Sequence, residues 1–534
     1  MNRDDAYNRY IQWCEFISDN DLIEESKKLT DDEITERFSD FISFGTGGLR
    51  AFMGAGLNRI NIYTVARATQ GIANSLNYGA KVIIAYDNRI KSKDFAETAA
   101  KVFSANGCEV FVFDRIMPTP LLSFACREMN ADLGVVITAS HNPKEYNGYK
   151  VYNSDGCQIC PEAARILEEY IASVSMYNDI KWNRQEVNFV PESVISSYYS
   201  KLSYPDLSNL RVAFTPLHGT GKETISEILG RTGLVLHCVN EQVEPNGDFP
   251  TCSIPNPEIP DTLKLGIELM ESVNADLLLA TDPDGDRVGV AVCDESGSRI
   301  LSGNELGVLL FDFLCKTREI PKGAVVVKTY VTTNMVKTIA MRYGVSCIEV
   351  PVGFKYIGDY IGKLEQKGML DRYFFGLEES CGYLPNTFVR DKDAIATSLL
   401  ICEMAAWYKL RNMTLCDALN DLYAEYGYYL TALKNYEFYG DLGRQTIGRI
   451  MDLLRVNNIE GWLVEDFRDR EDYSSDMLRY THDMSSITIR PSGTEQKIKV
   501  YIATIEKDEA SANERMNQLN DFLENHIRNS NKVV

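Results

Sequence analysis

The sequence lacks the long apolar segments that a membrane protein or a secreted precursor needs. No apolar run reaches the about eighteen residues that cross a bilayer, and the opening stretch MNRDDAYNRYIQWCEFISDNDLIEE has no apolar core of signal-peptide length. These absences argue against membrane insertion and secretion. We therefore expect a cytoplasmic protein without a membrane partner.

Basic residues are in short supply, and the cysteines follow no repeated spacing. Lys and Arg number 55 against 76 Asp and Glu, and the resulting net charge of −21 argues against nucleic acid as a partner. The thirteen cysteines contain a single C-x-x-C pair, Cys157 and Cys160, so we expect free thiols rather than a disulfide framework. A cleft lined with Arg and Lys can still bind a small anion, because local charge decides there.

What the sequence does contain is a globular composition and a repeated α/β pattern. Its 534 residues, 45% hydrophobic and 25% charged, suffice for several domains. Three times an apolar β-type run, a polar turn, a helix-period segment and a second apolar run follow one another, which predicts a βαβ unit. The segments are KVIIAYDNRIKSKDFAETAAKVFSANGCEVFVF, NLRVAFTPLHGTGKETISEILGRTGLVLHCV and GAVVVKTYVTTNMVKTIAMRYGVSCIEVPVG. In the first, we expect Ser92 to cap the helix and Gly107 to end it.

The pattern changes near residue 428. The runs SSITIR and KIKVYIAT are separated only by PSGTEQ, which predicts an antiparallel pair, and the closing stretch DEASANERMNQLNDFLENHI has a helical pattern. The acidic start of the chain also has a helical pattern. The predicted parts are a helical extension over 1–40, α/β domains over 41–205, 206–312 and 313–427, and a smaller α+β domain over 428–534.

The strongest chemical signal is the acidic loop in ADLLLATDPDGDRVGVAV. Asp282, Asp284 and Asp286 alternate after an apolar strand, so their carboxylates can converge on one hard cation. An EF-hand is excluded, because Arg287 and Cys293 stand where that loop needs Gly and Glu. Three carboxylates with an open coordination position suit Mg²⁺, and a solvated acidic turn is the alternative.

A second signal is GVVITASHNPKEYNGYK, in which Ser140 and His141 leave a buried strand. The exits of such strands are where α/β sheets display reactive groups. A serine hydroxyl is a weak nucleophile without a base or a metal, and no separate His-plus-Asp pair is evident among the five histidines. The residues alone leave two interpretations open, a nucleophile and a turn capped by Ser and Asn.

The loop in ITIRPSGTEQKIKV has the composition of a phosphate site. A bidentate cation, hydroxyls and free backbone amides can together hold a phosphate dianion. The residues concerned are Arg490, Ser492, Gly493, Thr494 and Lys497. An ordinary Pro-Gly hairpin is the alternative.

Two further loops carry weaker patterns. In FFGLEESCGYLPNTFVRDKDAI, Glu378, Glu379 and Ser380 can hydrogen-bond to vicinal hydroxyls, and a charge cluster of Arg390, Lys392 and Asp393 follows. A surface salt-bridge patch is the alternative. The stretch FGTGGLRAFMGAGLNRIN brings glycines, which allow close backbone approach, next to Arg50. It lacks the Lys-Ser/Thr ending of a P-loop.

Taken together, these loops resemble those of the α-D-phosphohexomutase superfamily, whose enzymes move a phosphoryl group between the 1- and 6-positions of a hexose. TASHNP resembles the phosphoserine loop of that family, DPDGDR its metal loop, GLEESCGY its sugar loop and RPSGTEQK its phosphate loop, in the family's order. GTGGLR, YDNRIKS and PVGFKYI match further family loops. FGTGGLRAFMGAGLNRINIYTVARATQG and TPLHGTG are most similar to the branch of bacterial phosphoglucomutases and phosphopentomutase-type enzymes. Gln496, Leu377 and Cys381 depart from the common pattern.

The resemblance implies an α/β protein with four domains around a central cleft, three similar mixed α/β domains plus a C-terminal α+β domain. It implies that Ser140 is phosphorylated and binds Mg²⁺ together with the three aspartates. Arg50, His141, Lys150 and Arg287 match charged or proton-carrying positions around that serine, and Lys392 matches a proposed proton acceptor. The implied substrate-binding residues are Gly353, Lys355, Glu378, Ser380, Arg490, Ser492, Gly493, Thr494 and Lys497.

The expected activity is that of a phosphoglucomutase. It would convert glucose 1-phosphate to glucose 6-phosphate through glucose 1,6-bisphosphate, which would also act as activator, in a monomer or homodimer. Mannose or pentose 1-phosphate as substrate, a synthase that releases the bisphosphate, and a catalytically silent phosphoserine-bearing protein are the alternatives.

Overall fold

The computed structural model describes residues 3–45, 47–182, 186–294, 297–438, 443–456, 460–493 and 497–531. Within these residues the chain forms a helical extension, three α/β domains and a C-terminal α+β domain. The predicted architecture is therefore confirmed.

The N-terminal extension consists of α1 (Arg3–Phe16), α2 (Asn20–Ser26) and α3 (Asp31–Phe38). Helix α3 begins at a capping box, in which the Thr30 hydroxyl accepts from the Glu33 amide and the Glu33 carboxylate accepts from the Thr30 amide. The buried ring of Trp13 packs with its centroid 5.4 Å from that of Tyr63 in the first domain. This contact fixes the extension to that domain.

The first domain contains a six-stranded sheet in the order β1-β5-β4-β2-β3-β6, in which β2, β3, β4 and β6 are parallel and β5 runs antiparallel to both of its neighbours, β4 and β1. Its elements are β1 (Gly48–Phe52), α4 (Ile62–Ser75), β2 (Lys81–Tyr86), α5 (Ser92–Ala105), β3 (Glu109–Val112), α6 (Thr119–Glu128), β4 (Leu133–Ile137), β5 (Tyr146–Asn153), α7 (Pro161–Ala172), β6 (Asn188–Phe189) and α8 (Glu192–Ser200).

Helix α5 begins differently from the prediction. Lys91, with a φ of 66°, occupies the N-cap position, and Ser92 is the first helical residue. The Ser92 hydroxyl donates instead to the buried Asp87 carboxylate at 2.6 Å, because an ionised acceptor binds a hydroxyl more strongly than a neutral group does. The predicted Ser92 cap is therefore wrong. Gly107 follows the helix with a φ of 84°, as expected.

The second domain has a five-stranded sheet in the order β11-β10-β9-β7-β8. Its elements are β7 (Arg211–Thr215), α9 (Gly221–Gly230), β8 (Val235–Cys238), α10 (Pro260–Ser272), β9 (Leu277–Thr281), β10 (Val288–Asp294) and β11 (Gly297–Leu301). Helix α11 (Gly303–Thr317) follows β11. The expected domain boundary at 312/313 falls inside α11. A Cβ at Gly307 of this helix would lie 2.6 Å from the side chain of Leu377 in the third domain, so we propose that the boundary precedes α11.

The third domain has a four-stranded sheet in the order β13-β12-β14-β15. Its elements are β12 (Val325–Thr329), α12 (Met335–Tyr343), β13 (Ser346–Val350), α13 (Lys355–Gln366), β14 (Tyr373–Glu378), β15 (Gly382–Leu384), α14 (Ala394–Lys409) and α15 (Leu415–Tyr426).

The three α/β sheets share one arrangement of strands. In each, a parallel βαβ pair lies beside a third parallel strand, which turns back into an antiparallel neighbour. The third parallel strands are β4, β9 and β14, and their antiparallel neighbours are β5, β10 and β15. The predicted βαβ units are thereby confirmed.

The C-terminal domain is an antiparallel sheet in the order β16-β20-β19-β18-β17, covered on one face by helices. Its elements are β16 (Tyr428–Glu437), α16 (Gly443–Val456), β17 (Leu463–Asp466), β18 (Leu478–His482), β19 (Ser485–Pro491), β20 (Lys497–Glu506) and α17 (Glu509–Asn531). The predicted antiparallel pair is β19 and β20, and the predicted closing helix is α17.

Two of the expectations drawn from absences can be compared with the fold. All thirteen cysteines are free thiols. Across the described part of the chain, no helix combines the length and the apolar character needed to cross a membrane.

Candidate active site

Ser140 lies in the loop between β4 and β5, at the exit of a completely buried strand. The two strands approach so closely that a Cβ at Gly148 would lie 2.4 Å from the Thr138 carbonyl oxygen. Ser140 has a φ of 53°, in the left-handed region that costs a non-glycine residue about 1–2 kcal/mol. Its amide donates to the Thr138 hydroxyl at 2.7 Å, and its own hydroxyl donates to Asp282 Oδ2 at 2.8 Å.

The acidic loop joins β9 to β10, the equivalent connection in the second domain. Gly285 has a φ of 62° at its tightest point, and the amides of Asp286 and Arg287 donate to Asp282 Oδ1 at 3.2 and 3.1 Å. One carboxylate oxygen from each of the three aspartates lies within 4.8 Å of the others, and all three residues are buried. The alternative of a solvated acidic turn is wrong.

Lysines from the first and third domains neutralise part of this charge. Lys150 Nζ lies 2.7 Å from Asp284 Oδ2 and 3.6 Å from Asp286 Oδ2, and Lys392 Nζ lies 3.1 Å from Asp286 Oδ2. Burial, followed by repulsion from the neighbouring carboxylates, raises the pKa of Asp282 well above its ordinary value. Burial alone would also raise the pKa of Asp284, but the ion pair with Lys150 holds that pKa below its ordinary value.

The residues present fit a divalent metal ion. Asp284 Oδ1 and Asp286 Oδ1 are buried and accept no hydrogen bond from any described residue. Buried carboxylate oxygens without a donor are costly unless a cation binds them. Hard oxygen ligands at this spacing are those that Mg²⁺ accepts.

His141 beside the serine and Lys392 beside the acidic loop differ in charge. His141 Nδ1 lies 3.3 Å from Ser140 Oγ. Burial, and then the cations Arg287 and Arg50, lower the pKa of His141 well below its ordinary value, so its ring is neutral near pH 7. Burial would also lower the pKa of Lys392, but Asp286 and Asp391 raise it above its ordinary value. The lowered pKa that a lysine base requires is therefore not found in this geometry.

The predicted sugar loop joins β14 to β15, the equivalent connection in the third domain. Glu378 Oε1 lies 4.0 Å from Arg287 Nη2 of the acidic loop. Burial raises the pKa of Glu378 to about 7, although Lys392 and Arg287 oppose this shift. Ser380 lines the cleft beside Glu379, whose carboxylate accepts from the Thr329 hydroxyl at 2.9 Å.

The charged segment after the sugar loop is buried, not a surface patch, so that alternative is wrong. Arg390 pairs with Glu365 at 2.9 Å, and Asp393 accepts from the Tyr198 hydroxyl at 2.9 Å and from the amide of Ala396 at 3.0 Å. The buried residues of the segment are Arg390, Asp391, Lys392 and Asp393. These contacts fix the backbone that carries Lys392.

The turn before α13 packs against this segment. Phe354, which lies between Gly353 and Lys355 in the sequence, has its ring centre 5.6 Å from Lys392 Nζ. Gly353 has a φ of 120°, and Lys355 is the first residue of α13. Burial lowers the pKa of Lys355 to about 8, against the opposing effect of Cys160 and Cys157.

The sheet of the C-terminal domain forms one wall of the cleft. In β19 and β20, apolar residues that face the domain core alternate with polar residues on the opposite face. Register pairs Thr488 with Tyr501 and Arg490 with Lys499 on the cleft side. Arg490 Nη2 donates to the Tyr501 hydroxyl at 3.1 Å.

The predicted phosphate loop closes at the end of these strands. The Ser492 amide donates to the Lys497 carbonyl at 2.8 Å, and Lys497 lines the cleft. Gly493 is exposed at the loop tip, and Thr494 lies outside the described residues.

All four domains contribute to one cleft of about 920 Å³. Of the predicted site residues, its walls contain Arg50, His141, Arg287, Ser380 and Lys497. Other predicted site residues are buried behind these walls and contact them directly or through one another. They are Ser140, Lys150, Glu378, Lys392 and the three aspartates. Arg50 Nη1 donates to the Asn142 side chain at 3.1 Å.

Several residues of the site escaped prediction from the sequence. Thr119 donates its hydroxyl to Asp284 Oδ2 at 3.0 Å and its amide to the Asp284 carbonyl at 2.8 Å. Lys499 and Tyr501 line the cleft, and the strict alternation in KIKVYIAT is the signal that would have identified them. No pattern in the sequence marks Thr119, because its partner belongs to another domain.

Comparison with known proteins agrees with the domain order. Three family models match in sequence, those described as phosphoglucomutase/phosphomannomutase α/β/α domain I over residues 42–178, domain II over 194–296 and domain III over 302–426. A curated phosphoglucomutase of Staphylococcus aureus strain bovine RF122 / ET3-1 is 33% identical over 524 residues, covering 92% of this chain and 94% of the relative.

Solved structures share the fold. A phosphoglucomutase/phosphomannomutase family protein of Burkholderia thailandensis superposes with a TM-score of 0.68 at 18% identity, covering 90% of this chain and 96% of the other. The Paramecium phosphoglucomutase pp63/parafusin, in an open form, gives a TM-score of 0.66 at 18% identity, with coverages of 89% and 93%. The ordered domain matches and the relative of 33% identity show that this chain belongs to the phosphoglucomutase/phosphomannomutase family of the α-D-phosphohexomutase superfamily, a family of phosphoryl-transferring isomerases.

Proposed function

We propose that this protein is a phosphoglucomutase that interconverts glucose 1-phosphate and glucose 6-phosphate through a phosphorylated Ser140. The observation that carries the proposal is the 2.8 Å contact between Ser140 Oγ and Asp282 Oδ2, because it brings a reactive hydroxyl to three buried carboxylates from another domain. The 33% identity to a curated phosphoglucomutase supports the choice of sugar. The proposal also includes a cytoplasmic location and a monomeric or homodimeric state.

Asp282, Asp284, Asp286 and the phosphate on Ser140 would hold a Mg²⁺ ion. When bound, the ion neutralises negative charge that develops as the phosphoryl group leaves the serine oxygen. The loop geometry keeps the carboxylates pointed at one place, since the amides of residues 286 and 287 anchor Asp282. Thr119 does the same for Asp284.

In the forward direction, the phosphoryl group passes from Ser140 to the free hydroxyl of glucose 1-phosphate. The bond between phosphorus and the serine oxygen breaks, a bond to the sugar oxygen forms, and the hydroxyl proton leaves to a neighbouring group. Arg50, Arg287, Lys150 and Lys392 supply positive charge around the transferring group, and neutral His141 stands beside the serine. The product of this half-reaction is glucose 1,6-bisphosphate.

The second half-reaction requires the bisphosphate to turn around within the cleft. Ser140 then recovers the phosphoryl group from the 1-position, and glucose 6-phosphate leaves. Glu378 and Ser380 bind sugar hydroxyls, and Lys355 contributes positive charge. The residues that grip the phosphate that is not reacting are Arg490, Ser492, Gly493, Thr494 and Lys497. Because the non-reacting phosphate is bound away from Ser140, the other end of the sugar is held in position for transfer.

Replacing the proposed nucleophile tests the covalent mechanism. Ser140→Ala should lower kcat by at least about 10³-fold, because no phosphoenzyme can form. The measurement is mutase activity with glucose 1-phosphate and its bisphosphate activator, with the thermal midpoint as a control for folding. Activity close to that of the unaltered enzyme in a folded variant would exclude a covalent role for Ser140.

The metal site can be tested without measuring activity. Thr119→Val removes the hydroxyl that holds Asp284 and should weaken Mg²⁺ affinity about tenfold, as measured by titration calorimetry on the protein alone. Thr98→Val is the matched control, since this buried hydroxyl donates to the Asp94 carbonyl at 2.8 Å, away from the cleft. Equal Mg²⁺ affinity in the Thr119 variant and the unaltered protein would contradict the assignment.

The pH dependence of substrate capture reports on Lys355. With its pKa at about 8, the ammonium group loses its charge as the pH rises through that value, so kcat/KM for glucose 1-phosphate should fall. Lys355→Arg keeps its charge and should move the decline to higher pH. The measurement is kcat/KM between about pH 7 and about pH 9.5. An unchanged decline in the arginine variant would remove Lys355 from substrate binding.

The identity of the sugar is tested by comparing 1-phosphates of glucose, mannose, glucosamine and ribose, each with and without its bisphosphate. We expect kcat/KM for glucose 1-phosphate to exceed the others by about tenfold or more, because hydroxyl contacts in a polar loop discriminate strongly. A higher value with mannose or ribose 1-phosphate would reassign the substrate. Stoichiometric release of the bisphosphate would identify a synthase.

A further inference from the structure

A buried arginine donates hydrogen bonds to the loop that carries Ser140. Arg89 follows β2 in the turn YDNR, and its side chain is fully buried. Its terminal nitrogens donate to the backbone carbonyls of Ser140 at 2.5 Å, Pro143 at 2.9 Å and Tyr146 at 3.1 Å, and also to that of Asn142. One guanidinium group therefore holds both ends of the loop between β4 and β5.

The arginine is itself anchored to rigid elements of the first domain. Asp87 lies with Oδ2 3.5 Å from Arg89 Nε, and its Oδ1 accepts from the Arg89 amide at 2.9 Å. The same carboxylate oxygen accepts from the Ser92 hydroxyl of α5 at 2.6 Å, and Ser92 accepts from the Asn147 side chain of β5 at 3.0 Å. This chain of contacts explains why Ser92 does not cap α5.

The second domain closes over the same arginine. The ring of Phe249 lies with its centre 5.0 Å from the Arg89 guanidinium carbon, and Phe249 is only 2% exposed. Next to it, Asp248 pairs with Lys144 of the serine loop at 3.2 Å. The serine loop is thus held between the Arg89 turn and the domain that carries the three aspartates.

We propose that Arg89 is a positioning residue that orients Ser140 towards Asp282 for both phosphoryl transfers. The left-handed backbone of Ser140 is unfavourable for an L-residue and persists only where its surroundings hold it. Arg89 binds the carbonyl of that very residue, so rotation of the peptide after Ser140 would break this hydrogen bond. The inference rests on the proposed function, because it assumes that Ser140 carries the phosphoryl group.

The planar fork of the guanidinium group explains why this position needs arginine. Several N–H groups in one plane can bind a set of carbonyls that surround them, whereas a lysine ammonium is a compact group on a flexible stem. Arg89→Lys should keep the buried charge beside Asp87 but release part of the loop. A loop displaced by about 1 Å lowers the rate of transfer by about 10²-fold.

The same domain offers a matched control. Arg67 of α4 is also buried, donates to the backbone carbonyls of Val174 at 3.0 Å and Ala172 at 3.5 Å, and stacks 4.0 Å from the centre of the Phe41 ring. These partners lie outside the serine loop and the cleft lining. Arg67→Lys therefore tests the loss of a buried carbonyl-binding arginine without the loss of serine positioning.

The experiment compares Arg89→Lys, Arg67→Lys and the unaltered enzyme. It measures kcat, KM, the thermal midpoint, and the rate at which glucose 1,6-bisphosphate phosphorylates Ser140 in a single turnover followed by mass spectrometry. We expect Arg89→Lys to lower kcat and the phosphorylation rate in parallel by about 10²-fold with KM within about twofold. We expect Arg67→Lys to change the thermal midpoint only.

Unchanged kcat and phosphorylation rate in folded Arg89→Lys would overturn the proposal, as would an equal fall in kcat in Arg67→Lys. If Arg89→Lys does not fold, Phe249→Leu, which loosens the arginine from the second domain, must show the parallel fall, and its absence would overturn the proposal. A lack of phosphate on Ser140 in the unaltered enzyme, with full activity in Ser140→Ala, would instead overturn the proposed function itself.

Discussion

The repulsion among three buried carboxylates is the constraint on which the rest of the site depends. Asp282, Asp284 and Asp286 present oxygens within 4.8 Å of one another, away from water, where like charges interact strongly. Buried carboxylates this close together require nearby cations to offset their repulsion. The chain supplies Lys150 from the first domain and Lys392 from the third, so the packing of the three domains and the neutralisation of this charge occur together. Removing one of these lysines would leave an uncompensated negative charge buried among the aspartates. Such a loss destabilises a protein far more than the loss of a surface ion pair.

The repeated strand order explains how three domains bring three different sets of polar side chains to one place. Ser140, the aspartates and Glu378 all lie in the connection between a parallel strand and the antiparallel strand that follows it, in the first, second and third sheet respectively. The connection is short and both of its strands are buried, so a side chain placed there is held by the whole sheet rather than by a mobile loop. Equivalent positions in similar domains face a common cleft once the domains pack. Under the proposed function, the residue type at that position determines whether the domain supplies a nucleophile, a metal site or a sugar contact.

The sequence predicted those features that depend on local spacing. Period-two and helix-period runs identified the βαβ units and the β19–β20 pair, and alternation identified the three aspartates.

The sequence did not predict contacts between residues that are far apart in the chain. Thr119 meets Asp284 across 165 positions, and Arg89 meets the Ser140 carbonyl across 51, so neither pattern is visible in a short window. Ser92 shows how a competing partner can override a local signal. Serine is a common helix-capping residue, but here its hydroxyl donates to a buried carboxylate instead. The boundary expected at 312/313 lies within α11, since an uninterrupted helix carries no local mark of the domain it packs against.

The floor and the wall of the cleft meet different requirements, and their side chains differ accordingly. The proposed transfer at Ser140 needs fixed geometry. The side chains that form the floor of the cleft are short and buried, namely Ser140, the aspartates, and Thr119 behind them. The proposed turning of a bisphosphate needs a partner that binds a phosphate at either end of the sugar. The C-terminal sheet supplies long cationic side chains at alternate positions of one face, with Arg490 and Lys499 paired across its strands. Long chains that end in a charge can follow a phosphate over several ångströms, because Coulomb attraction depends on distance more weakly than a hydrogen bond depends on angle. A rigid floor for chemistry and an adaptable wall for binding therefore follow from side-chain length and burial alone.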